Sequence, residues 1–111
     1  MKLPNHHEAI IDLVKLRDYV LNPEHPRGKH KARVFARVLG FNPNDAVELM
    51  KQIRAGLDRE DCEPRDADDF GQRFHVDLTV VAKKGEARVR TGWILLNGES
   101  RPRLTTCFVK A

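Results

Sequence analysis

Cysteine is scarce in this chain: Cys62 and Cys107 are the only two, and neither stands at metal-ligand or redox spacing, so a disulfide framework is unsupported. Long apolar runs are missing as well. The run at Trp93–Leu96, WILL, falls far short of the about 20 residues that a bilayer-spanning helix needs, which excludes a membrane span. The N-terminal MKLPNHHEAI has no apolar core followed by small residues, so no secretory peptide is expected and cytoplasmic residence is the default. There is no serine elbow, no phosphate-cradling glycine-rich loop and no clustered carboxylate pair, and those chemistries are set aside. No internal repeat or low-complexity tract appears. A chain of 111 residues then reads as one domain over 1–111, able to bury about 65% of its unfolded surface and to fold without staples.

Charge is plentiful and unevenly placed. The net charge is +4, yet Asp58–Asp69 (DREDCEPRDADD) holds seven of the sixteen acids and two of the twenty bases. Removing that segment leaves eighteen bases against nine acids. A basic body beside an acidic flap points to a polyanionic partner such as nucleic acid, although mildly basic surfaces also occur without one.

Periodicity gives the architecture. EAIID suggests a short strand, with Asp12 capping a helix over Leu13–Leu21 on which Leu13, Leu16 and Val20 share a face. NPEHPRG breaks it. A second helix is predicted over Lys29–Leu39, with Val34, Phe35, Val38 and Leu39 as its stripe and Gly40 as its stop. FNPND supplies an Asn42 cap, Pro43 and Asp45 for a third helix carrying Ala46, Leu49, Met50, Ile53 and Leu57. Residues 58–70 read as an acidic mobile loop. Beyond Gly71 the period becomes two: Phe74–Val80 and Ala87–Leu95 alternate, and a last strand spans Leu104–Lys110. The expected fold is α+β, with N-terminal helices on one face of a C-terminal antiparallel meander of at least three strands and the other face wet.

Spacing nominates site residues. His30 precedes Val34 by four and Lys31 precedes Phe35 by four, which predicts that both project on the core-facing stripe. The bland alternative is a snorkelling lysine and a histidine bonding a nearby carbonyl. Between Lys29 and Lys31 at a helix start, an imidazole is favoured neutral, making His30 a candidate general base. His6, His7, His25 and His75 have weaker claims: the HH pair lacks a partner at zincin spacing and His75 lies among alternating polar residues, so no metal site and no cofactor are assigned. Arg88 and Arg90 share one face of the middle strand, and Arg103 and Thr105 share one face of the last, while Thr106 has the parity to face inward beside Leu104 and Phe108. Guanidinium groups with a threonine hydroxyl suit a phosphate, though arginine and threonine are equally normal on an exposed sheet. RNA carries its own nucleophile, the 2′-hydroxyl, so a base, cations and an acid suffice to cleave it without a metal.

KLPN at Lys2–Asn5, KLRDYVLNPEHPRGKHKARVFARVLGF at Lys15–Phe41, GQRFHVDL at Gly71–Leu78 and RPRLTTCFVK at Arg101–Lys110 together resemble a small bacterial family of uncharacterised domains. That family in turn resembles the ribonuclease toxin fold of barnase, EndoU, the tRNA-cleaving colicins and RelE. The resemblance implies helices on an antiparallel sheet and metal-independent RNA cleavage. His30, Lys31, Arg90, Arg103 and Thr105 would be catalytic, with Lys29, Arg88 and Thr106 binding substrate. No second catalytic histidine of the EndoU kind is present, which leaves the general acid unassigned. A chain opening with its own Met suits a stand-alone toxin neutralised by an acidic antitoxin or immunity protein. No DNA-specific motif appears. RNA binding without cleavage, or docking on an acidic protein, are the alternatives.

Overall fold

The computed structural model describes residues 1–110; Ala111, the end of the expected 1–111 domain, lies outside them. Three helices precede a four-stranded antiparallel sheet of order β1-β2-β3-β4, an α+β arrangement. The helices are α1 (Leu13–Lys15, continuing in a wider turn through Leu16–Val20), α2 (Lys29–Leu39) and α3 (Ala46–Arg59). The strands are β1 (Glu63–Ala67), β2 (Gly71–Val81), β3 (Glu86–Leu96) and β4 (Arg103–Val109).

Each helix starts and stops for a local reason. The Asp12 carboxylate accepts from the Val14 and Lys15 amides, so the predicted cap is present, and α1 buries Leu16 and Val20 but leaves Leu13 exposed. No capping side chain sits at Gly28; instead Nδ1 of His25 accepts from the Arg27 and Gly28 amides and its carbonyl accepts from Lys29, which starts α2. Gly40, at φ 70°, ends α2 as expected. Asn42 and Asp45 form a reciprocal capping box around Pro43, and α3 follows directly.

Phe35 and Leu39 of α2 and Leu49, Ile53 and Leu57 of α3 pack with Phe74, Val76, Leu78, Val89 and Trp93 of the sheet to form the core. Each such large side chain, fully buried, contributes about 1.5–3 kcal/mol.

Three expectations change. EAIID is no strand: Glu8 lies in a short 3-10 turn, His6–Glu8, and only Ile10 pairs, through a single parallel bridge to Arg103. The 58–70 segment is no loop. Asp58 and Arg59 complete α3, and Glu63–Ala67 form the fully exposed edge strand β1, whose backbone pairing with β2 needs no apolar side chains. Thr106 and Phe108 do not face inward. A bulge between Gly92 and Trp93 leaves Thr105 as an extra residue, so Leu104, Cys107 and Val109 take the helix side while Thr106 and Phe108 turn outward.

Candidate functional site

The sheet face away from the helices is built of rows that cross the strands. Glu63, His75, Gly92 and Thr106 form the central row, one residue from each strand. Asp77, Arg90 and Phe108 form the next, and Thr79 and Arg88 the one after. Arg73, Ile94 and Arg103 lie on the opposite side of the central row. Strands stand about 4.8 Å apart, so neighbours within a row are in side-chain reach.

His75 is the centre of this face. Its Nδ1 is buried without a hydrogen-bond partner, a condition that costs about 1–3 kcal/mol unless a bound group satisfies it. Burial holds the imidazole below its ordinary pKa, and the positive charges of Arg90 and Arg65 push the same way against Asp77 and Glu63. Both effects favour the neutral ring. A polar cleft of about 290 Å3 runs beside it, lined by Arg59, Glu60, Asp61, Glu63, His75, Asp77 and Arg88.

Gly92 gives the row its shape. A Cβ there would stand 2.6 Å from the Thr106 methyl and 3.3 Å from the Thr105 hydroxyl, so glycine is what lets both threonines lean over β3 toward His75.

Arg90 donates to both Asp77 oxygens, at 2.9 and 3.1 Å, and Lys110 adds a third bond at 2.9 Å. The Arg90 bond, followed by that of Lys110, brings the Asp77 carboxyl down to about 2. A depressed carboxyl stabilises the fold above its unfolded pKa near 4, and that stability is lost as pH falls through 2. The shift corresponds to about 2 kcal/mol. Urea titrations of Asp77→Asn should show that loss at pH 7, with a flatter decline than wild type between pH 4 and 2. An unaltered acid limb would contradict the assignment.

The predicted site residues divide. Lys31, Thr105 and Thr106 share a small cavity of about 60 Å3 with Lys15 and Tyr19, and the Lys15 ammonium donates to the Thr105 carbonyl at 2.9 Å. The Lys31 ammonium lies 4.5 Å from the centre of the Phe108 ring, a cation–π contact that carries it toward the row of Arg90. Arg88 bonds Thr79 and the Asp77 carbonyl and approaches Glu60. His30 and Lys31 are not core-facing, however; both are exposed. The buried stripe of α2 is Ala32, Phe35 and Leu39, and Val34, the reference for His30, is only half-buried at its margin. Lys29 is half-buried. Arg103 stands beyond the central row and is held by Glu99 at 3.0 and 3.1 Å, away from Arg88 and Arg90. The imidazole at the centre of the face is thus His75, which sequence reasoning ranked low.

The family model for a domain of unknown function, DUF6883, matches residues 2–111. The chain belongs to the DUF6883 family. No curated protein and no solved structure matches it. Among the described residues of this DUF6883 domain, no helix is long and apolar enough to cross a membrane.

Proposed function

We propose that this domain cleaves RNA on the open face of its sheet, with His75 as the general base. The observation that carries the reading is the half-buried imidazole of His75, its Nδ1 without a hydrogen-bond partner, set among the carboxylates of Glu63 and Asp77 and the guanidinium groups of Arg90 and Arg65 in the middle of an uncovered sheet. His75 takes the proton of a ribose 2′-hydroxyl; that oxygen bonds phosphorus, the bond to the 5′ oxygen breaks, and the departing oxygen takes a proton from water. Arg90 and Lys31 offset charge gathering on the phosphoryl oxygens, and the Thr105 and Thr106 hydroxyls orient them. Because Lys110 also holds Asp77, Arg90 can give up one of its bonds to a phosphate without leaving that carboxylate alone. The products are a 2′,3′-cyclic phosphate and a 5′-hydroxyl. A toxin restrained by an acidic antitoxin or immunity protein fits the same basic face.

The full chain incubated with total RNA and a chelator should yield fragments ending in cyclic phosphate. One structural feature favours a second reading: Arg90 and Arg88 are already engaged by protein oxygens, which suits weaker RNA or polyanion holding without cleavage. Binding that collapses with salt but leaves RNA intact would select that reading. No RNA affinity, with tight capture of an acidic protein, would select a protein-interaction domain.

A further inference from the structure

The paired histidines near the N-terminus have no metal-binding partner nearby in sequence, yet the fold supplies one fifty-two residues beyond the first of them. His6 and His7 occupy the 3-10 turn His6–Glu8, and Asp58 lies in the last turn of α3. The Nε2 atom of His6 is 3.0 Å and the Nδ1 atom of His7 is 3.5 Å from the same carboxylate oxygen, Oδ1 of Asp58. All three donor atoms lie within 4.8 Å of one another.

We propose that His6, His7 and Asp58 bind a borderline divalent transition-metal ion of the Zn2+ class. Zinc bonds nitrogen and carboxylate oxygen at about 2.0–2.2 Å in tetrahedral geometry, which places neighbouring ligand atoms about 3.3–3.5 Å apart. The two nitrogen–oxygen separations bracket that edge length, so small side-chain rotations suffice to point the three atoms at one ion. Two imidazoles and a carboxylate select Zn2+, Co2+ or Ni2+ over Mg2+ and Ca2+, which take oxygen. The three side chains leave the fourth coordination position to water.

The backbone on both sides is already fixed. Leu3 and Ala9 bracket the turn in the core, the His6 amide donates to the Leu3 carbonyl and the Ala9 amide to that of His6. Asp58 follows Gly56 and Leu57, both buried. An ion here would therefore tie the chain start to the end of α3 with little ordering cost. Arg54 lines the same cleft, and its charge opposes a cation. Its guanidinium is turned to the Ala9 carbonyl at 3.1 Å, and the expected affinity is micromolar rather than tighter. His7 and Asp58 are exposed and His6 is mostly covered, so the ion has an approach from solvent.

The test uses the full chain without an affinity tag, titrated with ZnCl2 and separately with MgCl2 by calorimetry, and with CoCl2 followed by visible absorption. One Zn2+ should bind per chain, Co2+ should give the intense absorption of a tetrahedral site, and Mg2+ should give neither. Zinc at about a hundredfold above its Kd should raise Tm by roughly 10 °C. His7→Ala and Asp58→Asn, both at exposed positions, should each lower zinc affinity at least about tenfold, while His25→Gln should not. Zinc binding that is unchanged in His7→Ala and Asp58→Asn, or its absence at millimolar ZnCl2 in the folded chain, would overturn the site. The readouts are metal binding and unfolding, independent of whether RNA is cleaved.

Discussion

His75→Ala should slow RNA cleavage by about a hundredfold or more, the usual contribution of a positioned general base, while His30→Ala stays within about twofold of wild type. Cyclic-phosphate fragments resolved on a gel give the rates, and thermal unfolding of both variants separates lost chemistry from lost fold. His75 is half-buried on the sheet face turned away from the core, so truncating it removes little apolar packing. The pH profile adds a readout that a structural role would not move. Because burial and the charges of Arg90 and Arg65 hold the imidazole below its ordinary value, the midpoint of the acid limb of wild-type activity should lie below about pH 6.5. Arg90→Ala removes one of those charges and should move the acid limb upward. A His75→Ala protein that cuts RNA at the wild-type rate would remove His75 from the mechanism, and a folded His30→Ala protein that does not cut would restore His30 as a catalytic candidate.

Thr91→Val should destabilise the fold by about 2–4 kcal/mol although it hardly changes side-chain volume. Thr91 is fully buried. Its hydroxyl donates to the Val76 carbonyl at 2.7 Å and accepts from Trp93 Nε1 at 2.8 Å, a chain linking two strands under the largest core side chain. Valine leaves an indole N–H unpaired inside the core and takes a partner from a carbonyl, and each orphaned group costs about 1–3 kcal/mol. Thr91→Ser keeps both bonds and loses one methyl, so it should cost only about 1 kcal/mol. Urea midpoints rank the three proteins. Equal stability of Thr91→Val and wild type would show that the hydroxyl chain contributes nothing.

What could be read in the sequence follows from periodicity. α2, α3, β2 and β3 carry strong apolar repeats, and Asp12, Gly40, Asn42 and Asp45 mark boundaries through local hydrogen bonding, so these agree with the structure. β1 was hidden because Pro64, Arg65 and Asp66 suppress every apolar signal, and a strand paired on one side through its backbone needs none. The Thr105 bulge was equally silent: strict alternation assigns Thr106 to the core, and only the paired register with Gly92 reveals the extra residue. Arg88, Arg90, Lys31 and the threonines are legible by their chemistry, and the structure groups Lys31 with the threonines and Arg88 with Arg90. His75 does not stand out in the sequence because polar alternation marks an uncovered face without telling which of its residues sits at the middle. The one local clue was Gly92 in the following strand, where a missing side chain signals crowding by its neighbours.

The two margins of the sheet have a consequence for how the domain behaves in a crowded cell. At one margin, Ile10 exchanges backbone bonds with Pro102 and Leu104, and Lys15 occupies the Thr105 carbonyl, so few acceptors are left for a stranger's strand. At the other margin, Pro64 lacks an amide N–H and Glu63, Arg65 and Asp66 dress the ribbon in charge. Such guarding disfavours the stacking of copies into amyloid-like fibres. The uncovered sheet face is thus bordered on both sides by edges that resist the addition of another strand.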